Sequence, residues 1–209
     1  MDRAADPSVD AAPASRGDLV RRAAVAAAGV SVAGAAVFGR RATAATAPTP
    51  SKAQDQKIFN FALLLEYLQA GFYAEAVKHG ALRGEVREFA EVVADHERAH
   101  VAFLQRALGA RARPRPRFEF GQATRDERTF VQKAVLLENT GVLAYNGQAA
   151  NLTKPALAAA AEIVSVEGRH AAWISDLAGL PPAPRAADVG ATSADVVRTL
   201  QSTGFLKTK

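Results

Sequence analysis

Two glutamates in this chain are followed three residues later by a histidine: Glu97-x-x-His100 and Glu167-x-x-His170. Residues three apart share a helical face, so each pair can present a carboxylate and an imidazole to one metal ion. Two further glutamates, Glu66 and Glu138, stand ahead of them at similar intervals, 31 residues before Glu97 and 29 before Glu167. The unit Glu, then Glu-x-x-His, therefore occurs twice. With 11 glutamates and 4 histidines in 209 residues, chance would place fewer than one Glu-x-x-His pair in the chain. Four carboxylates facing one core need countercharge, because a buried unpaired carboxylate costs several kcal/mol. Four carboxylates and two neutral imidazoles carry a charge of −4, which two divalent cations balance. Carboxylates with two imidazoles suit two iron or two manganese ions, and zinc also fits.

Such residues need helices to aim them, and from residue 51 onward the apolar period is helical. The first helix is predicted over Lys52–His79, capped by Ser51 and ended by Gly80, with Phe59, Ala62, Glu66, Gln69, Tyr73 and Ala76 facing inward. The second spans Glu85 to Leu108, with Phe89, Val93, Glu97, His100 and Leu104 on its face. The third is expected to start at Thr124, in a Thr124-x-x-Glu127 capping box, and to run to about Ala150 with Phe130, Ala134, Glu138, Gly141 and Tyr145 on one side. The fourth follows Thr153, takes Pro155 in its first turn and ends near Leu177, with Leu157, Ala160, Ile163, Glu167, His170 and Ile174 inward. A short last helix over Ala194–Gln201 is expected under a Ser193 cap.

Short connections make the first and last helix pairs antiparallel hairpins. The middle connection, residues 110–123, is different. Its 14 residues, if extended, reach roughly 46–50 Å, and a 25-residue helix is about 37 Å long. It can climb the whole bundle and set the second and third helices parallel. The expected fold is all-α: a four-helix bundle of two antiparallel hairpins joined by a long crossover, over residues 51–179, with a C-terminal tail carrying a short helix over 180–209. Only Phe118-Glu119-Phe120 looks strand-like.

Composition narrows the partners. The absence of cysteine removes disulfide scaffolds, thiolate metal sites and thiol catalysis. The net charge is +5, and no aromatic residues interleave with the one basic cluster, Arg106 to Arg117, so no nucleic-acid partner is expected. That cluster reads as a solvated, self-repelling loop. Residues 1–47 differ from the rest. Arg16, Arg21 and Arg22 precede an uncharged Ala/Gly/Val run from Ala23 to Gly39, and Ala42-Thr43-Ala44 and Ala45-Thr46-Ala47 offer small-x-small cleavage sites. Basic, apolar, small is the order of an export signal, and the 17-residue run is short for a membrane span. The stretch Ser15-Arg16-Gly17-Asp18-Leu19-Val20-Arg21 resembles a twin-arginine signal in which Gly17 replaces one arginine. The expectation is an exported protein (periplasmic, envelope or secreted), cleaved near Ala44 or Ala47.

The segments Leu65-Glu66-Tyr67-Leu68, His96-Glu97-Arg98-Ala99-His100-Val101, Glu138-Asn139-Thr140-Gly141 and Glu167-Gly168-Arg169-His170 resemble the exported bacterial ferritin-like domain family, with desiccation-related proteins as relatives. The resemblance covers residues 52–178. It implies a ferritin-like bundle in which Glu66 and Glu138 are terminal carboxylates, Glu97 and Glu167 bridge two metals, and His100 and His170 each cap one. It also implies that Tyr73, seven residues after Glu66, lies near the metals; a core aromatic with a satisfied hydroxyl is the other reading. Gly141 could leave room for substrate or ease helix packing.

Iron or manganese with dioxygen, peroxide or ferrous ion as reaction partner points to a ferroxidase-like or manganese-catalase-like oxidoreductase linked to stress protection. A non-enzymatic metal-binding or desiccation protein is the alternative. His96-Glu97-Arg98-Ala99-His100 also spells the H-E-x-x-H of zinc proteases; Arg98 and the unexplained second half of the pattern weigh against that reading. The remaining partner implied is the export machinery, and self-association into a homo-oligomer is left open.

Overall fold

The computed structural model describes residues 48–206. The export signal and its cleavage sites fall on residues 1–47, outside the described residues. The described part is all-helical: α1 (Lys52–His79), α2 (Gly84–Leu108), α3 (Glu127–Gln148), α4 (Lys154–Leu177) and α5 (Ser193–Thr203), with short 3-10 turns at Gly109–Arg111, Gly121–Thr124 and Ala149–Asn151. None of these helices is long and apolar enough to cross a membrane.

Local chemistry sets the helix ends. Ser51 caps α1 by accepting the Gln54 N–H at 3.2 Å. Gly80 stops it in the left-handed region (φ 66°), where its N–H reaches the Ala76 and Val77 carbonyls. The expected capping box at Thr124 does not form. Asp126 is the cap of α3, accepting from Thr129 N at 2.8 Å. Thr124 is buried in the preceding turn and donates to Glu75 at 2.7 Å, and Glu127 accepts from Arg83 N at 2.6 Å. Both members of the sequence motif are thus committed to α1 and to the α1–α2 loop. Thr192, not Ser193, caps α5. Thr153, ahead of α4, donates its N–H and hydroxyl to Asp55 at 2.9 and 2.6 Å, which ties the start of α4 to the start of α1; in that first turn Ala156 is the buried residue, and Leu157, expected inward, is exposed.

In the bundle α1 lies against α2 and α3, and α4 lies against α3 and α2. The middle connection makes this possible by running along the outside of α1. Asn60 bonds Arg111 O and Arg113 N, and the Tyr67 hydroxyl donates to Arg113 O at 3.3 Å. The loop is therefore stitched to the helix as well as solvated. Gly71 makes room there for the Arg115 guanidinium. Covered on this side too, α1 is buried around most of its girth, from Leu63 to Tyr73.

The C-terminal segment joins the same core. Ala191 N donates to Leu143 O, and its backbone presses so closely on Gly147 that any side chain there would overlap the Ala191 carbonyl. Phe118 and Leu206 form an isolated antiparallel bridge, and Phe205 packs on Phe72 and Phe120.

Two apolar clusters result. One is rich in aromatics: Phe72, Tyr73, Phe89, Phe120, Phe130 and Phe205. The other is mainly aliphatic, with Ile58, Leu63, Leu104, Leu108 and Ile163 beside Phe59, Tyr67 and Tyr145. The four glutamates and two histidines belong to neither and contact members of both.

Candidate metal centre

Each bundle helix brings one glutamate to the interior: Glu66 from α1, Glu97 from α2, Glu138 from α3 and Glu167 from α4. The i, i+3 register adds His100 and His170. Glu97, Glu138 and Glu167 are 0% exposed, Glu66 1%, His170 3% and His100 8%. His100 Nδ1 stands 3.3 Å from Glu66, 3.2 Å from Glu167 and 3.7 Å from its own helix's Glu97. His170 Nδ1 stands 3.3 Å from Glu138, 3.3 Å from Glu97 and 3.7 Å from its own helix's Glu167. The two halves repeat each other with the hairpins exchanged.

Two groups follow, Glu66/Glu97/His100/Glu167 and Glu97/Glu138/Glu167/His170, each offering four ligand atoms within 4.8 Å of one another. Glu97 and Glu167 belong to both. Seven atoms of this cluster are buried without a hydrogen-bond partner: Glu66 Oε2, both Glu97 oxygens, His100 Nδ1, Glu138 Oε2, Glu167 Oε1 and His170 Nδ1. Among the described residues only His79 Nε2 shares that condition. Buried polar atoms normally have partners, so seven converging orphans of metal-ligand type fit a pair of cations.

The electrostatics agree. Burial, then the neighbouring carboxylates, pushes Glu97 and Glu167 well above the usual carboxylate range. Burial works against charge on Glu66 too, but contacts with His100, Glu97 and Tyr145 outweigh it and hold that carboxyl low. Burial likewise opposes the His100 cation, yet Glu167, Glu66 and Glu97 beside it push its pKa up to about 12. Without metal the cluster holds protons as its countercharge.

The outer oxygens of the two lone glutamates are held by tyrosines. Tyr145 on α3 donates to Glu66 Oε1 at 2.6 Å, and Tyr73 on α1 donates to Glu138 Oε1. Each tyrosine lies seven residues after the glutamate of its own helix and serves the glutamate of the other. Burial first, then the adjacent carboxylates, raises both phenols well above their ordinary value, so both stay protonated donors. Tyr73 thus satisfies both sequence readings, its ring in the aromatic core and its hydroxyl on the cluster. Tyr145 was not anticipated as a site residue; the repeated seven-residue interval was the available signal. Gln69 was also missed: its amide donates to Glu138 Oε1 at 3.0 Å and to Glu167 Oε2 at 3.5 Å.

His96 is exposed and belongs to neither ligand group. Its Nδ1 lies 2.9 Å from His170 Nε2, with the two rings stacked at 5.1 Å. Burial, then the two nearby histidines, lowers its pKa. The H-E-x-x-H string therefore does not assemble a protease-type zinc site: His96 turns outward to His170, while Glu97 and His100 join the carboxylate cluster. His96, His170, Val92, Val166, Arg169 and Trp173 line a surface cleft that reaches the cluster's edge.

A sequence model described as the ferritin-like domain matches residues 54–180, more than half of the chain. No curated protein matches the chain significantly.

Proposed function

Because the chain belongs to the ferritin-like domain family, we propose that its buried carboxylate–histidine layer holds two divalent metal ions, iron or manganese. Glu66, Glu97, His100 and Glu167 would hold one, and Glu97, Glu138, Glu167 and His170 the other. The observation that carries this reading is the convergence of seven unpartnered, buried ligand atoms on one spot. Two redox metals side by side, when bound, supply two-electron chemistry with dioxygen, peroxide or ferrous ion. The protein's own part is positioning. Tyr73 and Tyr145 orient the terminal carboxylates, His96 orients His170, and the apolar layers on either side exclude water. The cleft at His170 and His96 is the approach for a small substrate. The activity proposed is that of an oxidoreductase serving stress protection. The basic, apolar, small order of residues 1–47 supports action outside the cytoplasm; a new N-terminus near Ala44 or Ala47 is expected on protein recovered from the envelope fraction, and an intact N-terminus on cytosolic protein would count against it.

Metal analysis decides the core of the proposal. Purified protein is expected to carry close to two metal ions per chain. A Glu97→Ala, His170→Ala double variant is expected to lose both while keeping its helical circular dichroism. Full retention in that variant would overturn the site. Iron- and manganese-loaded protein assayed for peroxide decay and ferrous oxidation then separates an oxidoreductase from a protein that only binds metal.

A further inference from the structure

The two hairpins repeat each other closely, which makes a point of difference between them informative. Three residues after Glu66 stands Gln69; three residues after Glu138 stands Gly141. The two positions are neighbours on one side of the cluster, and the Gln69 amide occupies the space that Gly141 leaves open. A Cβ built on Gly141 would sit 2.7 Å from Glu167 Oε2 and 3.7 Å from Gln69 Nε2. Glu167 Oε2 thus rests in a seat made by a donor from α1 and a missing side chain on α3.

The seat changes what Glu167 can offer. Glu97 gives one oxygen to each histidine, Oε1 at 3.3 Å from His170 and Oε2 at 3.7 Å from His100. Glu167 turns the same oxygen to both, Oε1 at 3.2 Å from His100 and 3.7 Å from His170. Its other oxygen lies 3.5 Å from the Gln69 amide, whose shorter bond of 3.0 Å goes to Glu138 Oε1, and it is absent from the unpartnered atoms. A symmetric cluster would present eight free ligand atoms; this one presents seven.

We infer that Gln69 and Gly141 withhold Glu167 Oε2 from the metals, so that the pair is left one protein oxygen short and a small exogenous ligand takes that place. This rests on the two-metal reading above. It makes Gln69 a positioning residue that acts through Glu167.

The test uses full-length protein loaded with cobalt(II), whose visible bands weaken as coordination number rises, and azide as the small ligand. Wild-type protein is expected to bind two cobalt ions and to change its spectrum on azide addition. Gln69→Leu removes the donor at similar volume, and Gly141→Ala sets a methyl group against the same oxygen. Both are expected to bind two cobalt ions, because the freed Glu167 oxygen only takes the place of the exogenous ligand, and to lose the azide-induced spectral change, with azide affinity down by ~10-fold or more as the ligand must compete with a protein carboxylate. A wild-type spectral response to azide and wild-type azide affinity in Gln69→Leu would overturn the inference, whatever Gly141→Ala does. Wild-type protein that takes up no cobalt would overturn the two-metal reading itself and the inference with it.

Discussion

The aromatic cluster and the carboxylate layer beside it are buried to the same degree and consist of opposite chemistry. Phe72, Phe89 and Phe130 are 0% exposed, as are Glu97, Glu138 and Glu167. The rings find their partners in one another: Phe72 stacks on Phe130 at 5.1 Å and meets Tyr73, Phe120 and Phe205 within 5.9 Å. The carboxylates find no equivalent partners, and their inward oxygens face only each other and two imidazoles. One layer stabilises the fold by itself; the other is held in place by the fold, and its buried groups could be completed by cations. The prediction is that damage to the first lowers stability regardless of metal, and damage to the second removes a stability that only metal supplies.

The largest effect is expected from Phe72→Ala. It opens a cavity where α1, α3, the crossover and the C-terminal segment meet, and a loss of ~3–5 kcal/mol in urea unfolding follows. The loss should be the same with and without bound metal. A loss that vanished on metal addition would break the comparison, because it would mean that the aromatic layer acts through the site.

A smaller effect, with a sign that depends on metal, is expected from Glu97→Gln. At free metal about a hundred-fold above its dissociation constant, binding stabilises the wild-type fold by ~2.7 kcal/mol, and the variant should lose that gain. Without metal the variant should be no less stable than wild type, since the amide removes a carboxyl that burial and its neighbours already hold protonated. The pH dependence sharpens the contrast. Glu97 and Glu167 are raised well above their ordinary values and His100 to about 12, so all three bind protons more tightly folded than unfolded. Their contribution is complete below the unfolded values and is lost as pH rises through the folded ones. Metal-free stability should therefore fall from about pH 5 upward, while the metal-induced gain grows because fewer protons must leave. Thermal unfolding across that range, with and without manganese, checks both slopes.

How much of this was legible in the sequence differs between the two layers. The acid layer is written in local spacing: Glu-x-x-His twice, with a lone glutamate one hairpin arm earlier. The helix lengths and the crossover reach follow from period and chain geometry. What resisted reading depends on contacts between distant segments. Thr124-x-x-Glu127 has the form of a cap, but Glu75 and Arg83 claim its two members and Asp126 takes its place. Phe205 lies in no periodic stretch, yet it packs on Phe72 and Phe120. Gly141 was open between substrate space and helix packing, and only the position of Glu167 shows what its missing side chain makes room for.

The two tyrosines join the layers, each with its ring in an apolar cluster and its hydroxyl on a carboxylate, and they are not equivalent. Tyr73 shares Glu138 Oε1 with Gln69, whose amide stands 3.0 Å away. Tyr145 is the sole hydrogen-bond donor to Glu66 Oε1 among the described residues. Tyr145→Phe leaves that oxygen buried and unpaired, and free to turn away from the cluster; Tyr73→Phe leaves Gln69 still holding Glu138. Loss of a group that orients a metal ligand weakens binding by ~10–100-fold. Tyr145→Phe should lie toward the upper end and affect one of the two metal equivalents, with Tyr73→Phe toward the lower end. Stepwise calorimetric titration with manganese reads the two equivalents separately. Equal losses in the two variants would mean that Gln69 contributes nothing to the Glu138 side. A Gln69→Leu, Tyr73→Phe double variant, expected to match Tyr145→Phe in severity, makes the same comparison from the other direction.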